Sequence, residues 1–138
     1  VKLEIEQDLV AKILSAAARA HPDECCGLIE GMRDSRGWRA TALHETRNLA
    51  DDSRVHFLID PEVHFRLLRA LRGTAREIIG CYHSHPDGKA VPSLTDRASA
   101  SEDGFLWLIA GHGDEIAAFV YREEHEDFAP VTLERTKS

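Results

Sequence analysis

Three cysteines in 138 residues, two of them adjacent, do not make a disulfide scaffold. Cys25 and Cys26 could scarcely bridge each other without strain, so a reducing cytoplasm is the expected setting. No apolar run approaches the ~18 residues of a membrane span, and no signal peptide is read at the start, so neither membrane insertion nor secretion is expected. Basic blocks are missing too. With 24 acidic against 17 basic residues and a formal charge of −7, the chain lacks the Lys/Arg stripe that tight nucleic-acid binding needs. Arg66, Arg69, Arg72 and Arg76 do recur, as the solvated face of an amphipathic helix. A Gly-rich phosphate loop, the Pro-Cys-x-x-Cys pair of a deaminase, internal repeats and low-complexity segments are all absent.

What the chain does have is 43 % hydrophobic residues, enough for one core and too little length for two comfortable domains. Residues 1–138 are therefore expected to form a single domain. Val1, Leu3 and Ile5 alternate with charges as a half-buried strand. Asp8 is a candidate cap for a helix from Leu9 to about Ala20, which His21-Pro22 ends. Cys26 to Glu30 reads as a buried strand, and Asp34 to Gly37 as a hairpin turn into a strand from Trp38 to about Arg47. Val55 to Ile59 reads as a further strand. Asp60-Pro61-Glu62 starts a helix with Val63, Leu67, Leu68 and Leu71 on its apolar face. Strands are expected at Glu77 to Tyr82, Phe105 to Ala110, Ile116 to Tyr121 and around Val131 to Leu133. Thr95 is a candidate cap for a helix from Asp96 to about Glu102, and Arg135 to Ser138 are expected to fray. The pattern predicts an α/β or α+β domain with a mostly antiparallel sheet.

The chemistry is concentrated between Gly80 and Asp96. His83 and His85 are two apart, which puts both imidazoles on one side of an extended strand. Asp96 follows after a loop long enough to fold back. Two imidazoles and a carboxylate suit zinc, with a fourth position open for water as in a catalytic rather than a structural site.

His83-Ser84-His85-Pro86, five spacer residues, Pro92-Ser93 and then Asp96 resemble the signature of the JAMM, or MPN-plus (Mov34/Pad1-like), zinc metalloproteases. Upstream, Glu24-Cys25-Cys26-Gly27-Leu28 resembles the segment that carries the family's catalytic glutamate. The resemblance implies a curved mixed sheet, largely antiparallel, packed against helices, as in MPN and cytidine-deaminase-like folds. It also implies the compact prokaryotic form of the domain, without the large insertions of bigger members. One zinc ion per chain, held by His83, His85 and Asp96, is implied, with Glu24 as general base and Ser93 supporting the oxyanion. Asp23 is a rival base that the match at Cys-Gly-Leu disfavours. The implied substrate is the amide or isopeptide bond after the Gly-Gly tail of a ubiquitin-like or sulfur-carrier protein. A catalytically silent MPN scaffold that only binds partners is the alternative. Ser84 is expected to make hydrogen bonds on the far face of the strand, and the three cysteines to be buried small hydrophobes. Trp38 and Trp107 are read as core.

Overall fold

The computed structural model describes residues 1–138. Strand β1 (Lys2–Glu6) runs directly into helix α1 (Gln7–Ala20), then a hairpin of β2 (Cys26–Asp34) and β3 (Gly37–Thr46) follows. Helix α2 (Pro61–Leu71), strand β4 (Glu77–Ser84) and the short helix α3 (Leu94–Ser99) lead to β5 (Leu106–Ala110), β6 (Ile116–Arg122) and β7 (Asp127–Thr136). The sheet is mixed and curved, as expected, and its curvature goes on to closure in the order β1-β3-β2-β4-β5-β6-β7. Strands β1–β3, β1–β7 and β4–β5 pair parallel; the remaining neighbours pair antiparallel.

Each expectation about boundaries has a physical outcome. Asp8 does not cap α1: the helix begins at Gln7 with Glu6 at the cap position, and Asp8 lies in the first turn, near the positive end of the helix dipole. Asp60 does cap α2, accepting the Glu62 N–H at 2.9 Å, with Pro61 at the first helical position. Of the predicted apolar face of α2, Leu67 is buried while Leu68 is 52 % exposed. Val55 to Ile59 is not a strand; a single bridge between Asn48 and Ile59 is all the pairing it makes. Arg135 and Thr136 are not frayed, because they pair with Ile5 and Glu6 of β1. Gly37 has φ +135 at the hairpin, where a Cβ would lie 2.1 Å from the Lys2 carbonyl oxygen, so the turn requires glycine.

Two apolar clusters lie on opposite faces of the sheet. The larger joins Val10, Ile13 and Ala16 of α1 to Leu3, Ile5, Ile29, Leu106, Leu108 and Val120. The smaller holds Leu28, Leu67, Ile78, Cys81 and Trp107, on the α2 side. Burial of each such Leu or Ile contributes about 1.5–3 kcal/mol, which makes the strands between these clusters a rigid support. The β2–β4 register slips so that Ile29 faces Gly80 and Glu30 faces Ile78, leaving Ile79 as an extra residue. This bulge resets the alternation, and Cys81 falls on the same side as Ile78. His83 follows two residues later on that side, at the end of the strand.

Candidate metal centre

Strand β4 carries His83 at its C-terminal end, fully buried, and Ser84 on the opposite side. Ser84 Oγ accepts the Cys25 N–H at 2.8 Å, tying β4 to the segment that bears Glu24. That segment continues into Gly27, where a Cβ would sit 2.4 Å from the Tyr82 ring; the absent side chain lets the two strands close here. His85 lies just beyond β4. Its backbone N–H donates to the Ala110 carbonyl at 2.8 Å, and its Nδ1 lies 2.9 Å from the Lys89 carbonyl. Since a carbonyl only accepts, Nδ1 carries the proton and Nε2 keeps its lone pair, the tautomer that a metal ligand needs.

Helix α3 brings the carboxylate. Its cap is Ser93 rather than Thr95, and it spans Leu94–Ser99 rather than starting at Asp96. Ser93 Oγ accepts the Asp96 N–H at 3.0 Å, while Asp96 Oδ2 accepts the Ser93 N–H at 2.9 Å. This reciprocal capping box fixes the Asp96 side chain from its own helix. It leaves the Ser93 hydroxyl hydrogen uncommitted.

His83 Nε2, His85 Nε2 and Asp96 Oδ2 form a triangle with all three edges 3.1 Å. Three linear hydrogen bonds cannot share such a triangle, because each Nε2 has a single in-plane site, an N–H or a lone pair, and would need two. The spacing instead matches one face of a tetrahedron, whose edge is about 3.3 Å for metal–ligand bonds of about 2.0 Å. Glu24 stands at this face. A carboxylate oxygen of Glu24 and the two histidine nitrogens lie within 4.8 Å of one another, a group able to hold a metal ion. Glu24 is 5 % exposed, and its Oε1 is buried with no hydrogen-bond partner. A buried carboxylate with an unpartnered oxygen, grouped with the two histidine nitrogens, fits a site built around a cation.

The electrostatics follow from burial. Desolvation pushes the Glu24 carboxyl from 4.5 to about 8, with His85 opposing and Asp96 adding to the rise. Burial also acts to raise Asp96, but the adjoining His83 and His85 imidazoles prevail and hold it well below the usual carboxylate range. Desolvation lowers the pKa of His83 and keeps its imidazole neutral. For His85 burial also works downwards, yet the Asp96 and Lys89 contacts raise it overall. The two carboxylates of the site are thus driven in opposite directions, the arrangement that separates a proton carrier from a fixed charge.

Glu24, His83, His85, Ser93 and Asp96 all come together in space. A cleft of about 460 Å³ is lined by Glu24, His85 and Ser93 of this group, with Arg54, Val55 and Pro86 among its other walls. Asp23, the rival base, is engaged elsewhere: its Oδ1 accepts the Ser53 hydroxyl at 2.8 Å. Cys25, Cys26 and Cys81 are free and buried, and burial raises the pKa of all three thiols, so none is an activated nucleophile. Trp38 and Trp107 are buried as expected. The sequence reading missed Phe57, which stacks on His83 with centroids 4.2 Å apart. Trp107 meets the same imidazole edge-on at 5.7 Å. Only the single aromatic in an apolar pentapeptide hinted at Phe57, and nothing nearby pointed it at a histidine.

Known proteins match this arrangement along most of the chain. Residues 6–133 fit the family described as prokaryotic homologs of the JAB domain. A desampylase of Haloferax volcanii is 36 % identical over 121 residues, covering 85 % of this chain and 86 % of that protein. A CysO-cysteine peptidase of Mycobacterium tuberculosis is 32 % identical over 112 residues, covering 81 % and 75 %. Among solved structures, a protein of Desulfitobacterium hafniense superposes with a TM-score of 0.85 at 22 % identity, covering 99 % of this chain and 94 % of that one. The chain belongs to the prokaryotic JAB-domain family, and is thereby a JAB/MPN-domain protein related to the JAMM zinc metalloproteases.

Proposed function

We propose that this chain is a zinc-dependent peptidase that hydrolyses the amide or isopeptide bond after the Gly-Gly tail of a ubiquitin-like or sulfur-carrier protein. The observation that carries the proposal is the 3.1 Å triangle of His83, His85 and Asp96, with the buried Glu24 carboxylate beside its two histidines. His83, His85 and Asp96 would hold one zinc ion per chain. When bound, the ion supplies Lewis acidity at the scissile carbonyl and brings the pKa of a water near 7.

The remaining chemistry belongs to the protein. Glu24 takes the proton of the attacking water at Oε1 and delivers it to the departing amine. Its burial suits the task, because desolvation raises the proton affinity of a carboxylate. Ser93 donates its free hydroxyl hydrogen to the carbonyl oxygen as negative charge develops there. Residues 1–138 act as one metalloprotease unit without large insertions. The Gly-Gly tail is supported by the family resemblance and by relatives whose names are desampylase and CysO-cysteine peptidase. Three buried free thiols favour the cytoplasm, and no helix is long and apolar enough to cross a membrane. A silent scaffold has no use for a desolvated carboxylate facing three metal donors, and no observation favours it.

The test is cleavage of a carrier protein bearing an adduct on its terminal Gly-Gly, followed by mass spectrometry. Zinc-loaded protein is expected to release the carrier with its Gly-Gly end intact. Replacing the last Gly by a bulky residue is expected to suppress turnover. Equal turnover of Gly-Gly and Leu-Leu tails would overturn the substrate class.

A further inference from the structure

The segment between β3 and α2 has no regular structure, yet it holds Glu24 on both sides. Ser53 accepts the Glu24 N–H at 2.7 Å through its carbonyl, and Asn48 Nδ2 donates to the Glu24 carbonyl at 3.0 Å. The same amide nitrogen donates to the His56 carbonyl at 3.0 Å. On its other side, Asn48 Oδ1 accepts the N–H groups of Ala50 and Leu58, both at 3.0 Å. Two donors and two acceptor lone pairs are all that a carboxamide has, and here every one is used. Phe57, whose ring stacks on His83, lies between two of the backbone groups that Asn48 binds.

From this geometry we infer that Asn48 is a positioning residue for the proposed hydrolysis, a cross-tie that fixes Glu24 and Phe57 relative to the histidine pair. The inference rests on Glu24 being the general base. Asn48 does not touch substrate; it sets where the Glu24 carboxylate stands. A misplacement of about 1 Å in a reacting group costs on the order of 10²-fold in rate. No other short side chain supplies two donors and two acceptors together, and glutamine, one methylene longer, displaces them.

The experiment compares Asn48→Ala and Asn48→Gln, which keeps the carboxamide but sets it one methylene further out, with wild type, on zinc-loaded protein, with and without Glu24→Gln. We expect kcat to fall by ~10- to 10²-fold, with KM and zinc content held. In the Glu24→Gln background the further loss should be under about threefold, because the base is already gone. An equal fold-loss in both backgrounds would overturn the inference, since it would mean that Asn48 acts without Glu24. A second arm needs no substrate. Hydrogen exchange at the amides of Glu24 and Leu58 should speed up in both variants while those of Gly80 to Tyr82 in β4 stay protected. Unchanged exchange at Glu24 would overturn the cross-tie even if no carrier is ever cleaved, whereas faster exchange with an inactive wild type would sink the peptidase reading and leave the cross-tie standing.

Discussion

The ring of Phe57 lies against the ring of His83, with centroids 4.2 Å apart and planes 19° from parallel. His83 Nδ1 is buried and has no hydrogen-bond partner, so this imidazole is not oriented in the usual way by a carboxylate or carbonyl behind it. Packing replaces that hydrogen bond: Phe57 covers one face and Trp107 meets it edge-on at 5.7 Å.

Phe57→Ala is therefore expected to loosen His83 and weaken zinc binding by ~10- to 10²-fold, the range for residues that orient a metal ligand. Phe57→Leu, which keeps most of the volume, should lose less. Competition with a zinc-binding dye measures it. Wild-type affinity in Phe57→Ala would mean that β4 alone holds the imidazole.

The proposed ligands give a sharper contrast. His85→Ala and Asp96→Ala each remove a corner of the 3.1 Å triangle, and both should lose most zinc and activity together. Glu24→Gln, which removes only the proton acceptor, should retain zinc and lose activity by ~10²- to 10⁴-fold. Elemental analysis and kcat on the same preparations decide between these roles. Full zinc occupancy in His85→Ala would remove it from the ligand set.

Ser93 caps α3 and, in the proposed mechanism, donates to the oxyanion, two roles that substitution can separate. Ser93→Ala loses the cap of α3, costing about 1 kcal/mol of stability, and loses the oxyanion donor, costing about 3 kcal/mol in kcat. Ser93→Asp restores a side-chain acceptor for the Asp96 N–H but supplies no hydroxyl. It should recover Tm and remain slow. If Ser93→Asp recovered activity as well, Ser93 would be a cap and nothing more.

Much of the site was legible because its residues are close in the chain and their chemistry is distinctive. His83, His85 and Asp96 span one strand end, one loop and one short helix, so their spacing and donor chemistry point to one another, whereas Glu24 and Ser93 are picked out only by the resemblance to the JAMM signature. The cap of α3 was misassigned because Ser93 and Thr95 are both good caps. Only the reciprocal bond from the Ser93 N–H to Asp96 distinguishes them. Val55 to Ile59 has strand-like composition, but Asn48 takes up the backbone groups at His56 and Leu58, so a side chain supplies what a neighbouring strand would have supplied. Closure of the sheet rests on β1 pairing with β7, at opposite ends of the chain, and no local pattern reports a contact that distant.

The raised pKa of Glu24 makes a prediction about the metal-free protein. Its carboxyl titrates at 4.5 when unperturbed and at about 8 in the fold. A group whose pKa rises on folding binds its proton more tightly in the native state. Its contribution to stability is complete below about pH 4.5 and is lost as the pH climbs towards about 8. Asp96 runs the other way: its pKa is depressed, so its contribution is lost only in acid, below its ordinary value of 3.8. Between about pH 4.5 and about pH 8.5 the change at this pair should therefore come from Glu24. Glu24→Gln cannot ionise and escapes the loss. In chelator-treated protein, wild type and Glu24→Gln should have similar stability near pH 4.5. Near about pH 8.5 the variant should be the more stable by several kcal/mol, each tenfold change in proton affinity being worth roughly 1.4 kcal/mol. Urea unfolding at the two pH values measures the difference. A gap that is the same at both would mean that Glu24 is not desolvated in the folded protein, and its suitability as a proton carrier near neutrality would go with it.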